Sequence, residues 1–214
     1  MKDAARAFGF PFRPGWGGSW AGGIACLLLL PLAFPLLFGY VVEAVRSAGE
    51  DPGAGPPAWR INARLVSDGL WSSAQFAALA APFGAAAWAA SSWLTGLWAP
   101  AHDPFLDRGL ALVAAGFLAA LAWGMLALVV VPPTLARFAV SGRPADLADV
   151  AGALRLVRSH FADWNLAVVV IVTSWIVAIA SGALVCGVIG GLFYAILVSA
   201  HACSALAPDQ PPRR

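Results

Sequence analysis

Long stretches without a charged side chain dominate the hydrophobic pattern of the chain. Residues 70–98 and 109–131 contain no Asp, Glu, Lys or Arg, and residues 164–207 contain none either. A helix of about 20 apolar residues crosses the hydrocarbon core of a bilayer, so the third stretch is long enough for two crossings joined by a turn around residues 181–183 or Gly187. The pattern predicts an all-α integral membrane protein with four full transmembrane helices, over residues 70–98, 109–131, 165–182 and 185–206.

Prolines lie within the first of these stretches and directly after the second. Proline lacks a backbone N–H and disrupts a helix interior. Pro82 is therefore expected to kink the first span, and Pro132 with Pro133 to end the second.

A further apolar run, residues 20–45, is interrupted by the sequence PLAFP at residues 31–35. The run is either a fifth, kinked span or a re-entrant hairpin that enters and leaves on one side. Positive residues concentrate on the cytoplasmic side of membrane proteins. The hairpin leaves twelve of the thirteen Lys and Arg residues on one side, with Arg108 alone on the other, whereas the kinked span divides them nine to four. The distribution favours the hairpin and a cytoplasmic C-terminus, and the kinked span stays open as the alternative.

Two other segments have patterns typical of the membrane interface. Residues 1–19 mix basic and aromatic side chains, which is typical of an interfacial lead-in. Residues 144–161 carry apolar side chains at helical spacing, with Asp near the start and Arg near the end, matching the helix dipole. They predict one amphipathic helix on the membrane surface, with packing against a soluble partner domain as the alternative. Its apolar positions are Leu147, Val150, Leu154, Val157 and Phe161.

The amino-acid composition indicates the class of protein and its cellular compartment. Hydrophobic residues make up 60% of the chain and charged residues 11%, against about 25% charged in a typical soluble domain. The net charge of +2 is too small to indicate a nucleic-acid partner. Twelve of the thirteen cationic residues are Arg, and Ala, Gly and Pro are abundant, as in GC-rich bacteria. We expect a single membrane domain over residues 1–214, in the bacterial cytoplasmic membrane.

Several short strings resemble those of a known family, in order along nearly the whole chain. The strings are GYVVEAVR (39–46), PPAW (56–59), SDGL (67–70), PPTLARFAV (132–140) and FYAILVSAH (193–201), with Pro82 between the third and fourth. Together they resemble the membrane family catalogued as domain of unknown function 4013. The resemblance implies a small polytopic membrane protein of bacteria or archaea, and it implies no activity, because the family has none established.

Twelve positions are expected to shape the fold. Gly187 and Gly191 have the four-residue spacing that lets helices approach closely, and the others are mostly prolines, glycines and aromatic residues of the apolar run, the spans and the strings above. The twelve are Pro31, Pro35, Gly39, Tyr40, Trp59, Asp68, Gly69, Pro82, Pro132, Pro133, Gly187 and Gly191.

The spans offer little chemistry. Ionisable side chains inside a membrane are expensive and mark functional sites, and the four predicted spans contain no Asp, Glu, Lys or Arg. We therefore expect no enzyme activity, no catalytic residue, no metal site and no cofactor. His201 is the one candidate ligand for a haem or a chlorophyll-type pigment, because neutral imidazole ligates metals. Glu43 and Arg46 are spaced to form an ion pair.

These features favour a non-catalytic accessory or assembly subunit, or a membrane organiser, within a larger membrane complex. The expected partners are the lipid bilayer and other membrane proteins or further copies of the chain, and not nucleic acid. Two alternatives stay open: a small transporter or channel for a neutral or lipidic substrate, and a subunit that contacts a pigment or haem in a photosynthetic or respiratory complex.

Overall fold

A computed structural model describes residues 2–29, 33–51, 53–97, 104–182 and 187–207, and across these ranges the regular structure is helical with no strand. One 3₁₀ turn, Phe10–Phe12, follows the first helix. The α-helices are α1 Lys2–Gly9, α2 Trp16–Leu28, α3 Phe34–Glu50, α4 Ala63–Leu97, α5 Pro104–Ser141, α6 Ala145–Ala148, α7 Val150–Ser159, α8 Phe161–Ser181 and α9 Gly187–Ser204.

Three helical segments of the described chain are long and apolar enough to cross a membrane. They are Gly109–Ser141, Phe161–Ser181 and Gly187–Ser204. The first predicted span, 70–98, is helical as far as residue 97, but α4 falls outside this group. Its many Ala, Ser and Gly residues make it less apolar than a helix of Leu, Val and Ile. Four full spans therefore stay a prediction.

The prediction that Pro132 and Pro133 end a helix is wrong, because α5 continues through both to Ser141. Both prolines are buried. Beside them the Thr134 hydroxyl donates to the carbonyl oxygens of Val130, at 2.8 Å, and Val131, at 3.1 Å. The N–H groups missing at Pro132 and Pro133 would have served the carbonyls of Leu128 and Val129, so the Thr134 bonds do not replace them, and the packing of the two buried rings is what offsets their loss. Pro82 likewise lies inside α4.

Residues 144–161 form two helices rather than one. Asp149 separates α6 from α7, and its carboxylate accepts a hydrogen bond from the Gly152 N–H at 2.7 Å. This is an N-cap, a local arrangement that Asp favours over the helix interior. The span that follows begins at Phe161, directly after His160, so α7 and α8 are nearly continuous.

The chain forms two compact units, residues 1–73 with 130–214, and residues 74–129. In the first unit α9 packs against α8, α3 and α2. Aromatic and aliphatic side chains from both ends of the sequence share its core. They are Phe10, Leu37, Tyr40, Ala48, Phe193 and Leu197, with Trp20, Cys26, Leu27, Trp59 and Ile196 packed around them.

The chain reverses direction between α2 and α3. Gly22 of α2 lies against the Trp59 indole, and Tyr40 of α3 stacks on the same ring, with ring centroids 4.1 Å apart and planes 3° from parallel. A continuous helix would hold Gly22 and Tyr40 about 27 Å apart, too far to share one ring. The turn includes a hydrogen bond from the Ala33 N–H to the Leu29 carbonyl at 3.2 Å.

The second unit contains parts of α4 and α5. Phe76 and Trp123 meet edge to face, with ring centroids 4.8 Å apart, and Ala111 and Ala115 are buried. Large apolar side chains cover much of the rest of α5 and are exposed, including Val113, Phe117, Leu118, Leu121 and Met125. An apolar surface of this extent is typical of contact with lipid or with other membrane helices.

Candidate functional site

Arg46 and Asp68 are the most buried charged side chains of the described chain. The Arg46 side chain is 7% exposed and makes ion pairs with Glu43 and Asp68, the latter at 2.9 Å. Its Nε also donates to the carbonyl oxygen of Ala139 at 2.9 Å. We call these four groups the Arg46 cluster. A buried charge needs partners for each of its polar atoms, and the cluster meets this need while joining α3, α4 and α5.

Close contact between α3 and α4 brings the cluster together. A Cβ added to Gly39 would overlap the Leu65 carbonyl, and one added to Gly69 would overlap the Pro35 carbonyl. Glycine is therefore needed at both crossings, because a side chain would push the backbones apart. Asp68, next to Gly69, then reaches Arg46.

Tyr40, Trp59 and Ser19 join α2 and α3 to the loop that follows α3. The Tyr40 and Ser19 hydroxyls both donate to the Pro57 carbonyl, at 2.9 Å and 2.8 Å. The Trp59 Nε1–H donates to the Ser19 carbonyl at 2.8 Å. The packing of α2, α3 and residues 53–59 buries these polar groups, and the hydrogen bonds give each of them a partner.

A second group of charges, the Arg137 cluster, joins the end of α5 to α6 and α7. Arg137 donates to Asp146 at 3.0 Å and to Asp149 at 2.9 Å, and Arg155 lies 4.0 Å from Asp149. The backbone hydrogen bond from Gly152 lowers the pKa of the Asp149 carboxyl, with a further contribution from Arg137. Both favour the charged form of the carboxylate.

A cleft of about 280 Å³ opens where α1, α3, α8 and α9 have neighbouring ends. Arg6, Asp163 and His201 bring polar groups to a lining that is otherwise mostly alanine and aliphatic. The His201 ring is buried and stacks on Phe10, with ring centroids 4.8 Å apart. Among the described residues, no group of three or more His, Cys, Asp or Glu side chains could hold a metal ion.

Most of the positions expected to shape the fold lie in these contacts. Pro35, Gly39, Asp68 and Gly69 come together at the crossing of α3 and α4, and Tyr40 stacks on Trp59. Gly191 lies against Ser181 and Ala178 of α8, and the Gly187 carbonyl accepts from the Ser181 hydroxyl at 3.2 Å. Pro31 lies outside the described residues. The roles of these positions remain predictions.

A family model described as "Protein of unknown function (DUF4013)" matches residues 23–200. The chain belongs to this family. The match confirms the resemblance seen in the sequence, and it contains the whole of the Arg46 cluster and of the Arg137 cluster. Arg6 and His201, which supply polar groups to the cleft, lie outside it. No curated protein and no solved structure matches the chain.

Part of the Arg46 cluster is predictable from the sequence. The predicted ion pair between Glu43 and Arg46 is confirmed, whereas the pairing of Arg46 with Asp68 was not predicted. The available signal was that both residues belong to family-like strings, GYVVEAVR and SDGL, on either side of a Gly- and Pro-rich loop.

Proposed function

We propose that the chain is a non-catalytic assembly subunit of the bacterial cytoplasmic membrane, with its C-terminus in the cytoplasm. In this role residues 74–129 bind transmembrane helices of a partner or of a second copy of the chain. The observation that carries the proposal is the outward face of α4. Ala77, Ala81, Ala85 and Ala89 are all exposed on it, at four-residue spacing.

Small side chains at this spacing let two helix backbones approach closely in a membrane, where packing rather than the hydrophobic effect drives association. Alanine gains less from contact with lipid than Leu, Val or Ile, so a helix of moderate hydropathy is better covered by protein. The exposed Leu, Phe and Val side chains of α5 suit lipid instead.

A non-catalytic role agrees with how the buried charges of the Arg46 cluster and the partly buried charges of the Arg137 cluster are paired. Arg46 and Asp68 bind each other, and Arg137 binds two aspartates, so both clusters satisfy their charges by joining helices. Arg46 and Arg137 each lie within about one turn of a helix end, and the tendency of basic residues to flank spans on the cytoplasmic side supports a cytoplasmic location of these ends.

The hairpin of α2 and α3 fits the same picture as a re-entrant element. Its helices contain 13 and 17 residues, which gives lengths of about 20 and 26 Å, less than the hydrocarbon thickness of about 30 Å. Non-helical backbone at membrane depth must be covered by protein, and α9 packs against both arms.

The test places bulk on the alanine face. Ala81→Leu with Ala89→Leu is expected to abolish the assembly that native gels and light scattering detect in mild detergent. Ala114→Leu with Ala122→Leu, two exposed α5 positions at the same spacing, is the matched control and is expected to leave assembly intact. A wild-type protein that stays monomeric and captures no partner in membranes would contradict the proposal.

A further inference from the structure

The α7 helix presents three different surfaces around its axis. Gly152 and Ala153 are buried against the protein. Val150 and Leu154 are 40% and 45% exposed, and at about 100° per residue they lie beside each other, away from the buried side. Arg158 comes next round the helix and Arg155 follows it, both exposed. Most of the apolar positions predicted for this helix, including Val150, Leu154 and Phe161, are thus exposed and do not pack against the rest of the protein.

The position of α7 along the membrane normal follows from its two neighbours. His160 alone separates α7 from α8, whose apolar segment begins at Phe161. The α7 helix therefore lies at the membrane level of the Phe161 end of that segment. Phe161 is 59% exposed and contacts Trp164, which places aromatic rings at the junction. Aromatic side chains are enriched at this depth in membrane proteins. The Arg137 cluster holds the other end of α7 to α5.

We infer that α7 is a binding site for anionic phospholipid headgroups. Val150, Leu154 and Phe161 extend into the upper acyl region, and Arg155 and Arg158 bind headgroup phosphates from the adjacent side of the helix. An apolar face beside a basic face is the arrangement by which helices bind the interface of anionic membranes. The continuity of α7 with α8 favours lipid over a soluble protein as the occupant, because lipid surrounds that end of the span. The site is independent of the proposed assembly through residues 74–129.

The first test measures depth. Leu154→Cys and Ser159→Cys, each with Cys26, Cys186 and Cys203 replaced by Ala, are labelled with the fluorophore NBD in nanodiscs of phosphatidylcholine and phosphatidylglycerol. Acrylamide, a neutral quencher from the aqueous phase, is expected to quench the probe at residue 154 several-fold less than at residue 159, which faces away from the apolar surface. Equal quenching at the two positions, or protection of residue 154 only after a partner protein is added, would overturn the inference.

The second test measures selectivity. A basic residue near an anionic surface contributes about 1 kcal/mol, or roughly fivefold in affinity. Arg155→Gln with Arg158→Gln is therefore expected to lower phosphatidylglycerol retention in native mass spectrometry by about tenfold or more. Arg60→Gln with Arg64→Gln removes two exposed arginines outside α7 and should change retention little. Unchanged phosphatidylglycerol retention in the α7 variant, or an equal loss of retention in the control variant, would contradict headgroup binding. Melting temperatures of all variants check that each is folded.

Discussion

At the scale of single residues, the Arg46 cluster shows how an arginine that directly follows an apolar run becomes part of a core. Arg46 follows an apolar run, and a local reading of the sequence places its charge in water. The structure buries the guanidinium because α4 brings Asp68, and α5 the Ala139 carbonyl, to its donors. The resulting ion pair depends on three helices at once.

Arg46→Met should therefore be strongly destabilising. It leaves Asp68 buried without its main partner, and breaking a buried pair costs about 3–5 kcal/mol. Adding Asp68→Asn should recover part of the loss, because the uncompensated charge is removed. Unfolding in detergent, followed by fluorescence, measures both effects. Arg64→Gln is the control: this side chain is exposed and 3.9 Å from Asp68, so its loss should cost under about 1 kcal/mol.

Asp149 makes the attachment of α7 sensitive to acid. The pKa of its carboxyl is lower in the folded protein than in the unfolded chain, where it is about 3.9. A lowered pKa stabilises the folded state above the unfolded pKa, and this contribution is lost as the pH falls below about 4 and through the folded value. Arg137 and Arg155 face the carboxylate, as does Asp146 across the Arg137 guanidinium.

The hydrogen-exchange protection of residues 142–160, corrected for the intrinsic pH dependence of exchange, should accordingly fall below pH 4 in the wild type. Asp149→Asn keeps the N-cap, since Asn caps as well as Asp, but loses the ion pair with Arg137. This variant should exchange faster at neutral pH and respond less to acid. Identical pH profiles for the two proteins would show that Asp149 does not set the acid response.

At the scale of elements, the hairpin of α2 and α3 makes a clear topological prediction. Gly17, near the start of α2, and Gly49, near the end of α3, are both exposed. If the hairpin enters and leaves on one side, Gly17→Cys and Gly49→Cys should react with a membrane-impermeant maleimide from the same side of sealed vesicles. The native cysteines are replaced by Ala beforehand. Labelling from opposite sides would restore a spanning run and a different topology for every later helix.

The boundaries of the elements show where local sequence signals compete. The Pro132–Pro133 pair is typical of a helix end, yet α5 continues because the burial of both rings offsets the two missing N–H donors. Residues 144–161 read as one helix, yet the Asp149 side chain caps a new one. Burial decides the outcome at the prolines and a side-chain hydrogen bond decides it at Asp149, and apolar periodicity indicates neither.

At the scale of the whole molecule, the helical class, the apolar segments and the family were accessible from the sequence because each rests on patterns within short windows. The core was not. Phe10, Tyr40 and Phe193 share it although they are far apart in the sequence, and no periodicity links such residues. The contact of Gly39 with the Leu65 carbonyl was hidden for the same reason, although glycine itself marked the position.

Because α9 packs at the centre of the first unit, the core of that unit cannot form until α9 has been synthesised. Phe193 and Leu197 fill the space between Phe10, Leu37 and Tyr40, and they are synthesised about 150 residues after Tyr40. At roughly 5–20 residues per second, translation separates these events by about 8–30 s. During that interval α2 and α3 lack their principal packing surface. The α2 and α3 helices must therefore be sheltered by the insertion machinery or by lipid until α9 is inserted, and the arrival of α9 closes the core around residues made well before it.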